Sequence, residues 1–434
     1  MSSPASSPVR IGIAGLGTVG AATFRLLRDN AELLNQRTGR ALVVTAVSAR
    51  DRGRERDLDL AGVRWYDDAR ALADDAQVDL VCELIGGTDG AALELVRAAL
   101  EHGRSVVTAN KAMLAHHGAE LASLAEGASA QLRFEAAVAG GIPIIRSLRD
   151  GLAANRIMRV FGILNGTSNF ILTTMRETGR EFADVLTEAQ RLGYAEADPA
   201  FDVDGIDAAH KLALLAALAF GGRPRFDAIH IEGIRHVSAT DIAFADQLGY
   251  RIKLLGVARM TGQGLEQRLH PCMVPLGAPI AQVEGVFNAV VVEGDQVGAV
   301  MHEGRGAGAG PTASAVVGDL VELARGLEVP AFGVPSTALR EHPIAPMAAH
   351  AGSYYIRLMV LDQPGVLADI SAVLRDHEVS IESLIQRGRN PGQAVPIVLT
   401  SHDTTEARMS GALDRIAALP AVIEPPRMIR IERS

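Results

Sequence analysis

A chain of 434 residues exceeds what one hydrophobic core usually organises, so roughly two or three domains are expected. Apolar residues make up 48% and charged residues 21%, and a formal net charge of −9, with no compensating block of lysine and arginine, argues against a nucleic-acid partner. No apolar run reaches the length of a membrane span, and the two cysteines, Cys82 and Cys272, lack the spacing of a zinc site or a disulfide framework, so no membrane and a reducing cytoplasm are expected.

Residues 1–8 lack a basic region followed by an apolar one and read as a short disordered lead. Residues 9–14 form an apolar strand running into Gly15-Leu-Gly17-Thr18-Val19-Gly20, and 21–28 read as a helix. Strand, G-x-G-x-x-G and helix are the context of a dinucleotide site, in which glycines admit a pyrophosphate and a helix N-terminus faces it; a tight turn with no ligand is the plain alternative. A second strand, 41–48, follows a polar insertion and ends in Arg50-Asp51-Arg52. Two arginines there favour the 2′-phosphate of NADP(H), while Asp51 keeps NAD(H) open. Residues 78–85 form a buried strand that ends in Gly86-Gly87-Thr88, 91–102 a helix, and 105–108 a strand ending in Ala109-Asn110-Lys111. The alternation predicts a parallel doubly wound sheet, whose ligands bind past the strands' carboxyl ends, and Lys111 stands at that edge.

From Leu132 an apolar strand carrying Glu135 and Val138 breaks into Gly140-Gly141-Ile142-Pro143. Such a turn can aim several carbonyl oxygens at one point, which suits a hard monovalent cation, although a chain crossing between domains is its commoner use. A second domain is expected from Pro143. Its first strand, near Val160, leads into Asn165-Gly166-Thr167-Ser168-Asn169 and a helix from about Phe170, with Ser168 or Asn169 as cap and the remaining groups as a hydrogen-bonding floor for a small molecule.

The most telling stretch follows. Residues 193–205 make an acidic loop carrying Glu196, Asp198, Asp202 and Asp204, punctuated by Pro199 and Gly205, and a helix runs from Ile206 to Phe220 before Gly221-Gly222. Lys211 shares the apolar stripe of Leu214, Leu215 and Leu218, so its ammonium faces inward, and Asp207, one turn earlier, can pair with it. A lysine in a dry wall among carboxylates is a candidate proton donor; the alternative is a stem lying along leucines while the head reaches water.

Between 254 and 300 the pattern is strands and turns, an antiparallel or mixed sheet. The bare backbone from Gly304 through Gly308 to Pro311 can lie against a cofactor, and a helix over 311–328 can pack back on the first domain. Residues 330–352, rich in proline and alanine, read as a linker. The tail alternates strand, helix, strand, strand, helix and strand, the ferredoxin-like βαββαβ order, with Asp362-Gln-Pro-Gly365 as a turn.

These motifs resemble homoserine dehydrogenase of the long bacterial type over nearly the whole chain from Val9. The most specific are Thr108-Ala-Asn-Lys111, Phe134-Glu-Ala-Ala-Val-Ala-Gly-Gly-Ile-Pro143, Gly162-Ile-Leu-Asn-Gly-Thr-Ser-Asn169, Gly193-Tyr-Ala-Glu-Ala-Asp-Pro199 and Asp202-Val-Asp-Gly-Ile-Asp-Ala-Ala-His-Lys211. The tail resembles an ACT domain. The resemblance implies an α/β enzyme with a Rossmann-type NAD(P)-binding domain over 9–142, an α+β substrate and dimerisation domain with a mixed sheet over 143–329, and an ACT regulatory domain over 353–434. It implies reversible reduction of L-aspartate 4-semialdehyde to L-homoserine, on the way to threonine and methionine. Lys211 would be the acid/base lysine with Asp207 in support; Glu196, Asp202, Lys111, Asn165, Gly166 and Thr167 would hold substrate. Gly15, Gly17, Thr18, Val19, Gly20, Arg50, Thr88, Lys111 and Gly308 would hold cofactor, and Glu135, Val138, Gly140 and Ile142 a Na+ or K+ ion. The tail would bind an amino-acid effector, threonine being usual, and a homodimer or homotetramer is implied. A nucleotide-binding amino-acid sensor without turnover, or an aspartate dehydrogenase, are the competing readings; the intact Glu196, Asp207 and Lys211 set and the ordered substrate motifs argue against them.

Overall fold

In the computed structural model, which describes residues 7–386 and 392–432, the first third of the chain alternates strand and helix. Its elements are β1 (Val9–Ala14), α1 (Thr18–Asp29), α2 (Ala31–Thr38), β2 (Leu42–Ser48), β3 (Arg64–Tyr66), α3 (Ala71–Asp74), β4 (Leu80–Glu83), α4 (Ala91–Glu101), β5 (Ser105–Thr108), α5 (Lys111–Gly127) and β6 (Leu132–Arg133). All six strands run parallel in the order β3-β2-β1-β4-β5-β6. Sheet growth therefore reverses between β1 and β4, and the crevice beyond their carboxyl ends is where such sheets take ligands. Every residue of β4 is buried, as a parallel strand covered on both faces requires. The fingerprint helix begins at Thr18, inside the glycine motif, and the insertion between the first two strands contains α2, closed by Gly39 at φ +70°.

The next elements are α6 (Ile144–Arg146), β7 (Ile157–Ile163), α7 (Gly166–Thr178), α8 (Phe182–Arg191), α9 (Ala200–Val203), α10 (Ile206–Phe220), β8 (His230–Ile231), α11 (Ala239–Gln247), β9 (Tyr250–Thr261), β10 (Gly264–Pro275), β11 (Phe287–Gly294), β12 (Gly298–Arg305) and α12 (Ala309–Ala324). The tail holds β13 (Ala351–Leu361), α13 (Val366–Asp376), β14 (Ile381–Gln386), β15 (Ala394–Ser401), β16 (Thr404–Thr405), α14 (Glu406–Ala417) and β17 (Arg427–Ile431). These two regions share one mixed sheet of 11 strands, with the path β12-β11-β7-β9-β10-β17-β13-β15-β14 and β8 and β16 alongside. The join is a short parallel pairing of Cys272 and Met273 in β10 with Arg430 and Ile431 in β17.

Two further contacts position the site. Helix α12 returns to the first sheet, where Ala315, Val316 and Leu320 share a core with Phe24 and Leu27 of α1. The segment read as a linker is docked: Phe332 is buried with its ring 5.2 Å from that of Phe134, Arg340 bridges to Gly222 and Ile344 to Leu265. Residues 1–6 of the expected lead, and Arg387 at the end of one expected tail strand, lie outside the described residues. Among the described residues no helix is long and apolar enough to cross a membrane.

Candidate active site

Helix α7 starts four residues before the position its sequence suggested, because Asn165 is its cap: Oδ1 accepts from the Ser168 backbone at 2.8 Å. Ser168 and Asn169, expected as caps, are instead buried in the first turns. Ser168 Oγ donates to the Asp202 carbonyl at 3.1 Å, and the Asn169 amide donates to the carbonyls of Val283, Gly285 and Phe287. The other end of the capping side chain ties two elements together. Asn165 Nδ2 donates to Asp202 Oδ1 at 2.8 Å and to Asp207 Oδ2 at 2.9 Å.

Helix α10 spans its expected range because a left-handed glycine bounds each end, Gly205 at φ +89° and Gly221 at φ +61°. A Cβ on Gly205 would also run into Leu269. Asp207 and Lys211, one turn apart, then meet: Lys211 Nζ lies 2.7 Å from Asp207 Oδ2 and donates to the Leu164 carbonyl at 2.8 Å. The second Asp207 oxygen lies 3.1 Å from Nζ of Lys111. Lys111 is the first residue of α5, aimed by Asn110, which accepts from the Met113 backbone at 3.1 Å and donates to the Gly87 carbonyl at 2.7 Å. One carboxylate thus bridges two ammonium groups supplied by helices α5 and α10.

Burial pushes the Lys211 ammonium below the ordinary lysine range, Asp207 draws it back and Lys111 adds to the lowering. Burial would raise Asp207, but the Lys211 and Lys111 charges and the Asn165 hydrogen bond outweigh it and hold that carboxyl well below the usual range. Burial raises Asp202, against the Asn165 hydrogen bond. The other acids diverge. Glu196 is exposed on the cleft rim, Asp198 accepts from the Ala200 backbone in its own turn at 3.1 Å, and Asp204 faces Arg235. Asp204 therefore does not crowd the lysine.

These groups floor a cleft of about 750 Å³ that runs from Val19 and Ala109 to Gly166, Thr167, Asp202 and Lys211, with Gly140 and Gly308 along the joint. Thr167 Oγ1 donates to the Tyr194 carbonyl at 2.6 Å across its mouth. On the nucleotide side, a Cβ on Gly15 would strike the Leu84 carbonyl and one on Gly20 the Gly15 carbonyl, whereas Gly17 faces open space. Two glycines serve the turn and the third leaves clearance for a ligand. Helix α1 has no side-chain cap, so the amides of its first turn, at Thr18 and Val19, are available to an anion. Thr88 lies in the turn after β4, and Gly308, at φ +116°, leads into α12. Arg50 and Arg52 are exposed beyond β2, while the Asp51 carboxylate closes its own turn, accepting from the Gly53 and Arg54 backbones at 2.8 and 3.1 Å. Arg56 ties this turn to the glycine loop through the Leu16 carbonyl at 3.2 Å and the Asp51 carbonyl at 2.6 Å. This set fits a dinucleotide.

The Gly140 turn has Ala139 and Gly140 both at positive φ, +55° and +54°. The Glu135 carboxylate is committed elsewhere, accepting from the Ile145 and Arg146 backbones at 2.8 and 3.0 Å and from Arg146 Nε at 3.1 Å. Among the described residues the Val138 and Gly140 carbonyls accept no hydrogen bond, while that of Ile142 accepts from Ile144 at 2.8 Å. The donor set that fits a cation here is carbonyl oxygen, the chemistry of a hard monovalent ion.

One cleft residue escaped the sequence reading. Asn288 of β11 is 1% exposed, and neither end of its side-chain amide has a hydrogen-bond partner. Its signal was a lone amide in the otherwise apolar run Phe287-Asn-Ala-Val-Val-Val.

Three family models match this chain: homoserine dehydrogenase, NAD binding domain, over residues 15–135; homoserine dehydrogenase over 143–321; and ACT domain over 354–421. A homoserine dehydrogenase of Neisseria gonorrhoeae is 48% identical over 431 residues, covering 98% of this chain and 99% of its own. The crystal structure of a homoserine dehydrogenase from Thiobacillus denitrificans superposes with a TM-score of 0.93 at 46% identity, covering 98% of each chain. A hyperthermophilic archaeal homoserine dehydrogenase in complex with NADPH matches with a TM-score of 0.64 at 28% identity, over 74% of this chain and 99% of that one.

Proposed function

The chain belongs to the homoserine dehydrogenase family, NAD(P)-dependent oxidoreductases acting on a CH–OH group, and from that premise we propose the residue roles, cofactor and regulation that its cleft supports best. The reaction is reversible reduction of L-aspartate 4-semialdehyde to L-homoserine, serving threonine and methionine synthesis. When bound, the dihydronicotinamide supplies the hydride. The protein meets the charge that then develops on the aldehyde oxygen: Lys211 neutralises that oxygen and delivers its proton, directly or through water, and Lys111 flanks it. Asp207 keeps the two ammonium groups together, and Asn165 holds Asp207 and Asp202 in place. Glu196, on the rim, takes the substrate's amino group, with Gly166 and Thr167 beneath it. The observation that carries this reading is the buried Lys211 ammonium 2.7 Å from Asp207 on the cleft floor. Its test is Lys211→Ala: kcat should collapse while NADPH affinity holds, and turnover like that of the unaltered enzyme would remove Lys211 from the chemistry.

The dinucleotide is held by Gly15, Gly17, Thr18, Val19 and Gly20 at the pyrophosphate, with Thr88, Lys111 and Gly308 nearer the ring. NADP(H) is preferred, because Arg50 and Arg52 are presented at the end of β2 while Asp51 is occupied in its own turn. A Na+ or K+ ion binds the carbonyls of Glu135, Val138, Gly140 and Ile142, so replacing alkali cations with choline should lower activity. The ACT region takes an amino-acid effector, threonine first. The exposed edge strands β12 and β14 suit assembly into a homodimer or homotetramer. Two buried cysteines whose thiols burial pushes up are inert in a reducing cytoplasm.

A further inference from the structure

Asn288 presents a donor and an acceptor side by side in a wall that has been cleared for them. Asn288 belongs to the lining of the cleft. Gly306, which leads through Ala307 and Gly308 into α12, lies directly against it, since a Cβ there would run into the Asn288 amide nitrogen. On the other flank a Cβ on Gly166 would lie 3.4 Å from Asn288 Oδ1 and run into the Val286 carbonyl. Gly306 thus leaves room for an amide that is 1% exposed and has neither hydrogen bond made, and Gly166 lies against its other flank. A buried, unsatisfied carboxamide costs free energy unless a ligand completes it.

We infer that the Asn288 carboxamide is the protein's partner for the carboxamide of the nicotinamide ring, a role resting on the reading of this cleft as the NADP(H) site. The match is chemical. A neutral group with donor and acceptor adjacent is complemented by another primary amide through two antiparallel hydrogen bonds. An ammonium only donates and a carboxylate only accepts, so either group of an amino acid would leave one half of the Asn288 amide unpaired. Position agrees: Asn288 touches the turn that leads into α12, the helix packed on α1, and on its other flank meets Gly166 of the substrate floor, so it stands where ring and substrate face each other. Asn288 is a positioning residue that fixes which face of the ring meets the substrate.

The test is cofactor binding by calorimetry without substrate, using NADP+ and its 3-acetylpyridine analogue, which keeps the carbonyl but lacks the amide N–H. The unaltered enzyme should bind NADP+ about tenfold tighter than the analogue. In Asn288→Ala that ratio should fall towards one, with KM for homoserine within about twofold. Asn288→Asp keeps the shape but exchanges the donor for an acceptor and should also lose NADP+ affinity, which covers the case in which the alanine variant does not fold. An unchanged ratio in the folded alanine variant, or unaltered NADP+ binding in the aspartate variant, overturns the inference, and so does a rise in homoserine KM with cofactor binding intact. Failure of the underlying reading looks different: the unaltered enzyme would not bind NADP+, or Lys211→Ala would keep turnover.

Discussion

Two buried charge clusters in this molecule behave in opposite ways. On the cleft floor, Lys211 and Lys111 share Asp207, and each lysine offers rotatable donors beyond the bonds it makes. At the join between β10 and β17 the cations are arginines. Arg430 gives its fork to Glu232 at 2.9 and 3.0 Å and to Glu406, while Arg268 holds Glu266 at 2.8 Å, Glu432 at 2.5 Å and His270 at 2.8 Å. Burial opposes the charge on Arg268 and Arg430, yet the carboxylates around them raise both above the ordinary arginine range. In the cleft the same balance leaves Lys211 below its ordinary value. A saturated arginine network is a rivet, and an ammonium with a lowered pKa and an unspent donor is a reagent. The same logic disposes of the approach of His270, Cys272 and Glu432 as a metal site: Arg268 occupies His270, and Arg159 and Arg268 occupy Glu432.

The strongest way to break this contrast is to remove one cation from each cluster. Lys211→Ala should lower kcat by about 10³-fold, within the range for a lost general acid, with NADPH affinity changed less than about threefold. Steady-state rates and a cofactor titration read both. A thermal midpoint that fell steeply while kcat held would make Lys211 a rivet after all. Asp207→Asn should cost on the order of 10²-fold in kcat and carry a signature in pH. Burial already lowers Lys211, and Asp207 opposes that lowering, so its loss takes the lysine pKa further down. Homoserine oxidation needs the neutral amine and rises as pH passes through that pKa; aldehyde reduction needs the ammonium and falls there. Both limbs should move to lower pH in the variant. Limbs that stayed in place would mean that another group sets the profile.

Helix α10 was legible in the sequence because glycines punctuate both ends and one apolar stripe carries Lys211, so Asp207 could be named as its partner. The tail was legible for a similar reason: each strand and helix satisfies its own period, and the βαββαβ order needs no long-range information. Asn165 was harder. It stands before glycine, threonine and serine, which read locally as a turn; its Oδ1 caps α7 while its amide reaches Asp202 and Asp207, partners 37 and 42 residues away. The glycine-rich β12 has little intrinsic strand preference and forms because β11 pairs with it. The continuous sheet was invisible, since β17 meets β10 through two residue pairs that no local pattern records. Asn288 stayed hidden because its meaning depends on Gly306, just past the end of another strand, which leaves it room.

The rivet should respond in stability. Arg430→Met leaves Glu406 buried without its fork, and breaking such a pair costs about 3–5 kcal/mol, a loss on the order of 10 °C in thermal midpoint, while kcat stays within about twofold. Calorimetry beside an activity assay reads both, and a large fall in kcat at full stability would show that the join feeds the cleft. Acid should act on the same contact. Burial would raise Glu232, but hydrogen bonds from His230 and Arg430 outweigh it and bring it down to about 2. A carboxyl lowered on folding adds stability above its unfolded pKa, near 4.3, and that stability is lost as pH falls from there towards 2. In Arg430→Met this acid-dependent part of the melting curve should flatten.

The smallest effect belongs to charges in neither cluster. Arg50 and Arg52 are exposed, and nothing in the fold depends on them as it does on Arg430 or Lys211. Screening by water makes such charges nearly silent for stability, so their contribution should appear only against a ligand that brings its own charge. Arg50→Ala with Arg52→Ala should therefore leave the thermal midpoint within about 1 °C, leave kcat/KM for NADH within about twofold and lower kcat/KM for NADPH about tenfold, the worth of a charge-assisted hydrogen bond to the 2′-phosphate. Rising salt should erode the NADPH advantage of the unaltered enzyme and do little to the double variant. Equal losses with both cofactors would move the 2′-phosphate away from these arginines and make Arg56, which ties this turn to the glycine loop, the residue to change next.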